Sequence, residues 1–237
     1  MTRDPEVQLQ RKRAAAERAV EEVVSGMVVG LGAGSTAAIA MGRLAARVVR
    51  GEVTNVRCVP CSVAVGEEAA RLGLALTSLD AHAEIDVTID GADEVDPMFG
   101  LLKGTGGALL REKIVAQASR RELIVVDDSK LSPVLGARCA LPVEVVAFGW
   151  PAQAGFLESL GARVQLRRAP TGEPYCTDQG NHILDCKFGP IRQPHALART
   201  LSERAGIVEH GLFLDLAIDL VIADERGVRI ETRGVSR

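Results

Sequence analysis

The sequence predicts an α/β protein, with a mostly parallel sheet covered by helices on both faces and a smaller α+β domain. Three observations predict it. Short apolar runs alternate with helical periodicity from residue 6 to residue 126, the rhythm of βαβ units. After Pro133 the order becomes strand–helix–strand–strand–helix–strand, the split βαβ pattern of a small α+β domain. Hydrophobic residues make up 47% and charged residues 25% of the 237, an ordinary globular composition with ample core material.

Residues 6–24 read as a helix, because Val7, Ala14, Ala15, Ala19, Val20 and Val23 recur at helical spacing, and Gly26 ends it. Met27 to Leu31 is a short buried strand broken by Gly32-Ala33-Gly34, after which Ser35-Thr36 caps a helix to about Val49. Val53–Val59 is the next strand and Val63–Leu72 the next helix. Leu74–Leu76 is a brief strand, and Ile85–Ile89 a firmer one. A helix from about Gly107 to Arg120 leads into the strand Leu123–Val126. Beyond Pro133, Leu141–Phe148 is a strand, Pro151–Leu160 a helix and Arg163–Leu166 a strand. Tyr175–Thr177 and His182–Lys187 read as a hairpin across Asp178-Gln179-Gly180-Asn181. Pro194–Arg204 is a helix and Ile207–Glu209 a strand. Leu220–Ala223 and Val228–Glu231, around the turn Glu225-Arg226-Gly227, return to the first sheet. The domains expected are 1–135, with 211–237 returning to it, and 136–210.

A net charge of −3 argues against nucleic acid as the main partner. No apolar run approaches the roughly 20 residues of a membrane span. The polar start, Met1 to Arg13, lacks the apolar core of a signal peptide, so a cytoplasmic location is expected. Five cysteines in a chain of this length read as reduced thiols.

The densest chemistry lies in Asp90-Gly91-Ala92-Asp93-Glu94-Val95-Asp96, directly after an apolar strand, and in Lys103-Gly104-Thr105-Gly106-Gly107, directly before a helix. Strand ends and helix starts on one edge of an α/β sheet are where such folds place ligands. Carboxylates, an ammonium and backbone amides gathered there suit proton transfer on an anionic substrate. Lys103 is the candidate cation to relieve the crowded acids, although a solvated Asp-Gly turn is the plainer alternative. Glu112 has Ala108, Leu109, Val115 and Ala116 as its helical neighbours, all apolar. Desolvation there would raise its pKa and suit a general base, while helix N-terminal stabilisation is the competing role.

Gly30-Leu31-Gly32-Ala33-Gly34-Ser35-Thr36 joins a strand to a helix, so it reads either as a phosphate cradle or as a glycine turn with a serine cap. It is neither a P-loop nor a full dinucleotide fingerprint. Cys58-Val59-Pro60-Cys61 has redox spacing but no second pair, and His82, His182, His195 and His210 lack metal spacing, so no metal site is expected. Arg11-Lys12-Arg13 reads as a solvated helix face, with Lys12 able to reach an anion.

The Gly-Ala-Gly-Ser-Thr loop, Asp-Gly-Ala-Asp-Glu, Lys-Gly-x-Gly-x-Ala-Leu-x-Arg-Glu-Lys-Ile, Asp-x-Ser-Lys at 127–130 and Leu-Pro-Val-Glu-Val at 141–145 together resemble the ribose-5-phosphate isomerase A family. Their order and spacing hold across most of the chain. The resemblance implies interconversion of D-ribose 5-phosphate and D-ribulose 5-phosphate without metal or cofactor, in the non-oxidative pentose phosphate branch. It implies a Rossmann-like domain with a smaller ferredoxin-like one, assembled as a homodimer or homotetramer. Glu112 resembles the catalytic base, Lys103 the enediolate stabiliser, and Asp90 and Asp93 the acids on sugar hydroxyls, Asp90 also assisting ring opening. Ala33, Gly34, Ser35, Thr36 and Lys130, and more weakly Lys12, resemble substrate or phosphate contacts. Gly91 and Ala92, between the two acids, and Gly104, Thr105 and Gly106, in the loop beside the lysine, resemble further substrate-binding positions. Ala33 stands where the family usually has threonine, Thr105 where it usually has glycine, and Cys61-Ser62 in a stretch usually richer in serine. A coenzyme A transferase, which would form a covalent thioester on Glu112, and a sugar-phosphate-sensing regulator, which would need a helix-turn-helix, are the rival readings.

Overall fold

Parallel strands buried on both faces must be apolar almost throughout, and the first sheet is built from such runs. The structure, a computed structural model, describes residues 4–216 and 219–234. The expected polar stretch 1–13 begins, and the expected return segment 211–237 ends, outside the described residues. In chain order the elements are α1 (Pro5–Val20), β1 (Val28–Leu31), α2 (Ser35–Val49), β2 (Arg57–Pro60), α3 (Val63–Arg71), β3 (Val87–Asp90), β4 (Glu94–Val95), β5 (Leu101–Leu102), α4 (Leu109–Gln117) and β6 (Glu122–Asp127). A 3-10 turn, Asp128–Lys130, follows. Then come β7 (Leu141–Val145), α5 (Trp150–Ser159), β8 (Arg163–Leu166), β9 (His182–Lys187), α6 (Pro194–Ser202), β10 (Ile207–His210), β11 (Leu212–Phe213), β12 (Asp219–Asp224) and β13 (Gly227–Thr232).

The chain divides into two compact units, the first made of residues 1–92, 111–130 and 215–237, the second of 93–110 and 131–214. The first unit carries a six-stranded sheet in the order β13-β12-β6-β3-β1-β2. It is parallel except for the antiparallel β12–β13 hairpin at its edge. β1, β3 and β6 are buried along their whole length, whereas β13, at one edge of the sheet, is largely exposed. Ala15, Ala16 and Ala19 of α1 are fully buried, and their small side chains let the helix lie close to its neighbours. α1 opens on Pro5, with the Asp4 side chain accepting from the Glu6 N–H at 2.9 Å.

The second unit holds a four-stranded antiparallel sheet in the order β10-β7-β9-β8 with α5 and α6, the order a split βαβ unit produces. Its core gathers Leu135, Leu141, Val143, Val145, Leu157, Leu184 and Leu201. A small three-stranded sheet, β11-β5-β4, stands beside it in the same unit. The α/β class expected from sequence therefore holds, a mostly parallel sheet accompanied by separate antiparallel ones.

Several local expectations need correction. Ser35 begins α2 rather than capping it: Gly34 is the N-cap, at φ +96°, and no side chain caps the helix. Leu74–Leu76 is reduced to a single parallel bridge between Leu76 and Cys58. β9 pairs with β7 and β8, not with Tyr175–Thr177, which lies in the long connection between β8 and β9. The Asp-Gln-Gly-Asn turn is closed by the Thr177 N–H to Asn181 O bond of 2.9 Å, and Thr177 and Asn181 both donate to Glu144 of β7. Residues 93–110 and 131–135, which the sequence boundary leaves in the first domain, pack within the second unit. They do so because the two-residue strand β5 pairs with β11 and β4 pairs with β5, and strands that short carry no readable periodicity.

Candidate active site

The residues singled out from the sequence fall in both units. In the first unit, β1 runs into the glycine loop and β3 ends at Asp90, its parallel neighbour. Asp90 is buried, and its Oδ1 accepts from the Gly91 N–H at 2.7 Å and the Ala33 N–H at 3.1 Å. The carboxylate is thereby tied to the loop. A glycine is required at position 32, because a Cβ there would lie 2.1 Å from Asp90 Oδ1 and 2.5 Å from Asp90 Cα. The loop then opens α2, whose first N–H groups and dipole favour an anion. At that end Lys12 of α1 donates to Ser35 Oγ at 3.0 Å. Thr36 is buried, while Gly34 and Ser35 are exposed. One short loop thus carries an acid at its start and a cation at its helix end.

Glu112 stands in the first turn of α4, 5% exposed, with Leu109, Val115 and Ala116 of its own helix also buried. Burial of a carboxylate is costly unless it is compensated, so a glutamate retained there is a candidate for chemistry. Lys113 beside it is buried as well, which sequence periodicity alone did not signal. Lys130 is half-buried at the end of the 3-10 turn after β6. One residue before that turn's midpoint, Asp128 accepts from Arg11 at 2.7 Å.

The second unit carries Asp93, Lys103 and the loop after it. Lys103 is 2% exposed, its ammonium 5.4 Å from the centroid of the Phe213 ring, and its N–H donates to Gly211 O at 2.9 Å. Asp93 is gripped by one residue: the Thr105 N–H reaches Oδ2 at 3.1 Å and Thr105 Oγ1 reaches Oδ1 at 2.6 Å. The remaining acids of the cluster hold the backbone. Glu94 is fully buried, and its Oε1 accepts from the Arg138 and Cys139 N–H groups at 2.8 and 2.5 Å. Asp96 accepts from the N–H groups of Met98 and Gly100, both at 2.9 Å, closing the turn between β4 and β5.

Cys58 and Cys61 are both buried, and burial pushes the Cys58 thiol up to about 12, away from redox chemistry. Among the described residues no group of three or more His, Cys, Asp or Glu side chains is placed to hold a metal ion. No helix among them is long and apolar enough to cross a membrane.

Residues 57–227 match the family model described as ribose 5-phosphate isomerase A (phosphoriboisomerase A). The chain is 58% identical over 219 residues to ribose-5-phosphate isomerase A of Chloroflexus aurantiacus, covering 92% of each chain. It is 50% identical over 218 residues to that of Desulfatibacillum aliphaticivorans, covering 92% of this chain and 95% of the relative. Among solved structures it resembles a D-ribose-5-phosphate isomerase in complex with phospho-erythronic acid, with TM-score 0.92, 34% identity, and coverage of 95% of this chain and 99% of the other. It also resembles ribose 5-phosphate isomerase from Plasmodium falciparum, with TM-score 0.90, 36% identity, and coverage of 93% and 97%.

Proposed function

The chain belongs to the ribose-5-phosphate isomerase A family, and from that premise we propose how its own residues carry the isomerisation. Glu112 is the base. It takes the C2 proton of the open-chain aldose, leaving negative charge on O1 that the Lys103 ammonium stabilises. O1 then gains a proton, O2 gives one up, and Glu112 returns its own to C1 to complete the ketose. Asp90 assists ring opening, and Asp93 accepts from sugar hydroxyls. The phosphate lies at the start of α2 with Ser35, Thr36 and Lys12, and Lys130 contributes a further cation.

The observation that carries this reading is the loop from Gly32 to Thr36, which has the Asp90 carboxylate bound at one end and Lys12 on Ser35 at the other. An acid for hydroxyl or ring-oxygen protons and a helix N-terminus with a lysine for phosphate are the two ends of a sugar phosphate. The burial of Glu112 and Lys103 supports their roles, since electrostatic stabilisation of an enediolate is strongest away from water. A relative binds phospho-erythronic acid, a phosphorylated hydroxy acid, and its carboxylate has the planar charge of an enediolate. That compound is accordingly expected to compete with ribose 5-phosphate here. Cytoplasmic action in the non-oxidative pentose phosphate branch and assembly as a homodimer or homotetramer belong to the same proposal.

The test is ketose formation from ribose 5-phosphate by chelator-treated protein, parent beside Glu112→Gln. The parent is expected to turn over without added metal, and the variant to lose roughly 10²–10⁴-fold in kcat while staying folded. Equal turnover by both would remove Glu112 as the base.

A further inference from the structure

The loop from Lys103 to Gly107 has little of its own to fix its shape. It belongs to no strand, two of its glycines adopt positive φ (Gly104 at +107°, Gly107 at +85°), and its one internal backbone bond is Gly107 N–H to Gly104 O at 3.1 Å. A segment of this kind keeps one conformation only if neighbours hold it. In this unit the neighbour is Arg167, which follows β8. Its Nη1 donates to Gly104 O at 2.9 Å and to Thr105 O at 3.1 Å. The other edge of the guanidinium is engaged by Asp185 of β9, with Nε on Oδ2 at 2.9 Å and Nη2 on Oδ1. Tyr175 completes the support. Its ring centroid lies 5.9 Å from the guanidinium carbon, its N–H donates to Arg167 O at 2.9 Å, and its hydroxyl is 3.5 Å from Gly106 O. A Cβ at Gly107 would lie 2.3 Å from that hydroxyl.

We propose that Arg167, oriented by Asp185, is a positioning residue for the isomerisation, because it clamps the Gly104 and Thr105 carbonyls and so fixes the loop between Lys103 and the Thr105–Asp93 pair. The inference rests on the roles proposed above for Lys103 and Asp93. A planar fork with five donors can serve a carboxylate on one edge and two carbonyls on the other, which a lysine cannot. Only 14% of the Arg167 side chain is exposed, so these charged hydrogen bonds are little weakened by water. The hold passes along the backbone in two directions. Backwards it sets the residue after Lys103, and at Thr105 it presents both the N–H and the hydroxyl to Asp93.

The experiment compares Arg167→Ala, Arg167→Lys and Lys103→Met with the parent, measuring kcat and KM for ribose 5-phosphate, the thermal midpoint, and the response to millimolar guanidinium. Arg167→Ala is expected to stay folded and lose about 10²-fold in kcat, the cost of a misplacement on the order of 1 Å. Added guanidinium restores part of that loss, Arg167→Lys recovers less than the rescued alanine variant, and Lys103→Met does not respond. A folded Arg167→Ala with parent kcat and KM, beside an inactive Lys103→Met, overturns the positioning role alone. So does a loss that tracks the folded fraction and ignores guanidinium. A parent-like Lys103→Met overturns instead the role proposed for Lys103. If Arg167→Ala does not fold, Asp185→Asn, which loosens the guanidinium without removing it, is measured in its place. A several-fold fall in kcat at an unchanged thermal midpoint supports the clamp, and an unchanged kcat rejects it.

Discussion

Gly32→Ala tests the acid end of the loop by steric force alone. The added Cβ would stand 2.1 Å from Asp90 Oδ1, 2.2 Å from Cγ and 2.5 Å from Cα. Carbon atoms rest at about 3.5–4.0 Å. The carboxylate can rotate away, at the expense of its bond to the Ala33 N–H. The Asp90 Cα cannot, since β3 is locked between β1 and β6. A gap of roughly 1 Å must therefore open between two buried backbones, which places the cost near the top of the roughly 1–3 kcal/mol typical of overpacking. At roughly 2–4 °C per kcal/mol for a chain of this size, the melting temperature should fall by about 5–10 °C. Displacing Asp90 by about that distance should also lower kcat/KM about 10²-fold. Thermal unfolding by circular dichroism and a ketose assay read both effects. Gly42→Ala serves as the control, because a Cβ at that position in α2 meets nothing within 4 Å and should be neutral or slightly stabilising. If Gly32→Ala melts and turns over like the control, the close approach of loop and carboxylate does not matter, and the account of this end of the site is wrong.

Lys12→Met should raise KM for ribose 5-phosphate several-fold and change kcat less, because only the contact at Ser35 is lost; an unchanged KM would take Lys12 out of the phosphate end. Glu144 is buried on β7, and burial raises its pKa, partly offset by hydrogen bonds from Asn181 and Thr177 and reinforced by the charges of Glu209 and Asp178. A carboxyl whose folded pKa is raised contributes stability below its unfolded value of 4.5 and loses it as pH rises through the folded value. Glu144→Gln should therefore gain urea stability relative to the parent as pH rises from 4.5, and a difference that stays constant with pH would contradict this. With its thiol raised to about 12 by burial, Cys58 should resist iodoacetamide at pH 8 until the protein unfolds, while exposed Cys176 reacts. Mass-spectrometric mapping of labelled peptides distinguishes the two, and early alkylation of Cys58 would revive the redox reading of the Cys-Val-Pro-Cys segment.

The sequence by itself determined what is encoded locally. Apolar runs of four to six residues between helical stretches announced β1, β3, β6 and β12, because a strand covered on both faces needs apolar side chains at nearly every position. Helical projection of four apolar neighbours around Glu112 anticipated the buried face on which that residue lies. The run of motifs from the glycine loop to Leu141–Val145 was specific enough to name the family. Tertiary structure decided everything that depends on residues far apart in the chain. β5 is paired by β4 on one side and on the other by β11, which arrives more than a hundred residues later. Glu94 and Asp96 look equivalent to Asp90 and Asp93 in the sequence, yet hydrogen bonds to Cys139 and to Gly100 make them backbone supports. Arg167 carried no signal at all, since its partners Gly104 and Asp185 lie 63 residues before it and 18 after. Periodicity and turn chemistry report on neighbours within a turn or a strand. Which distant carbonyl a guanidinium meets is set by how the sheets pack, and no local pattern contains that distance.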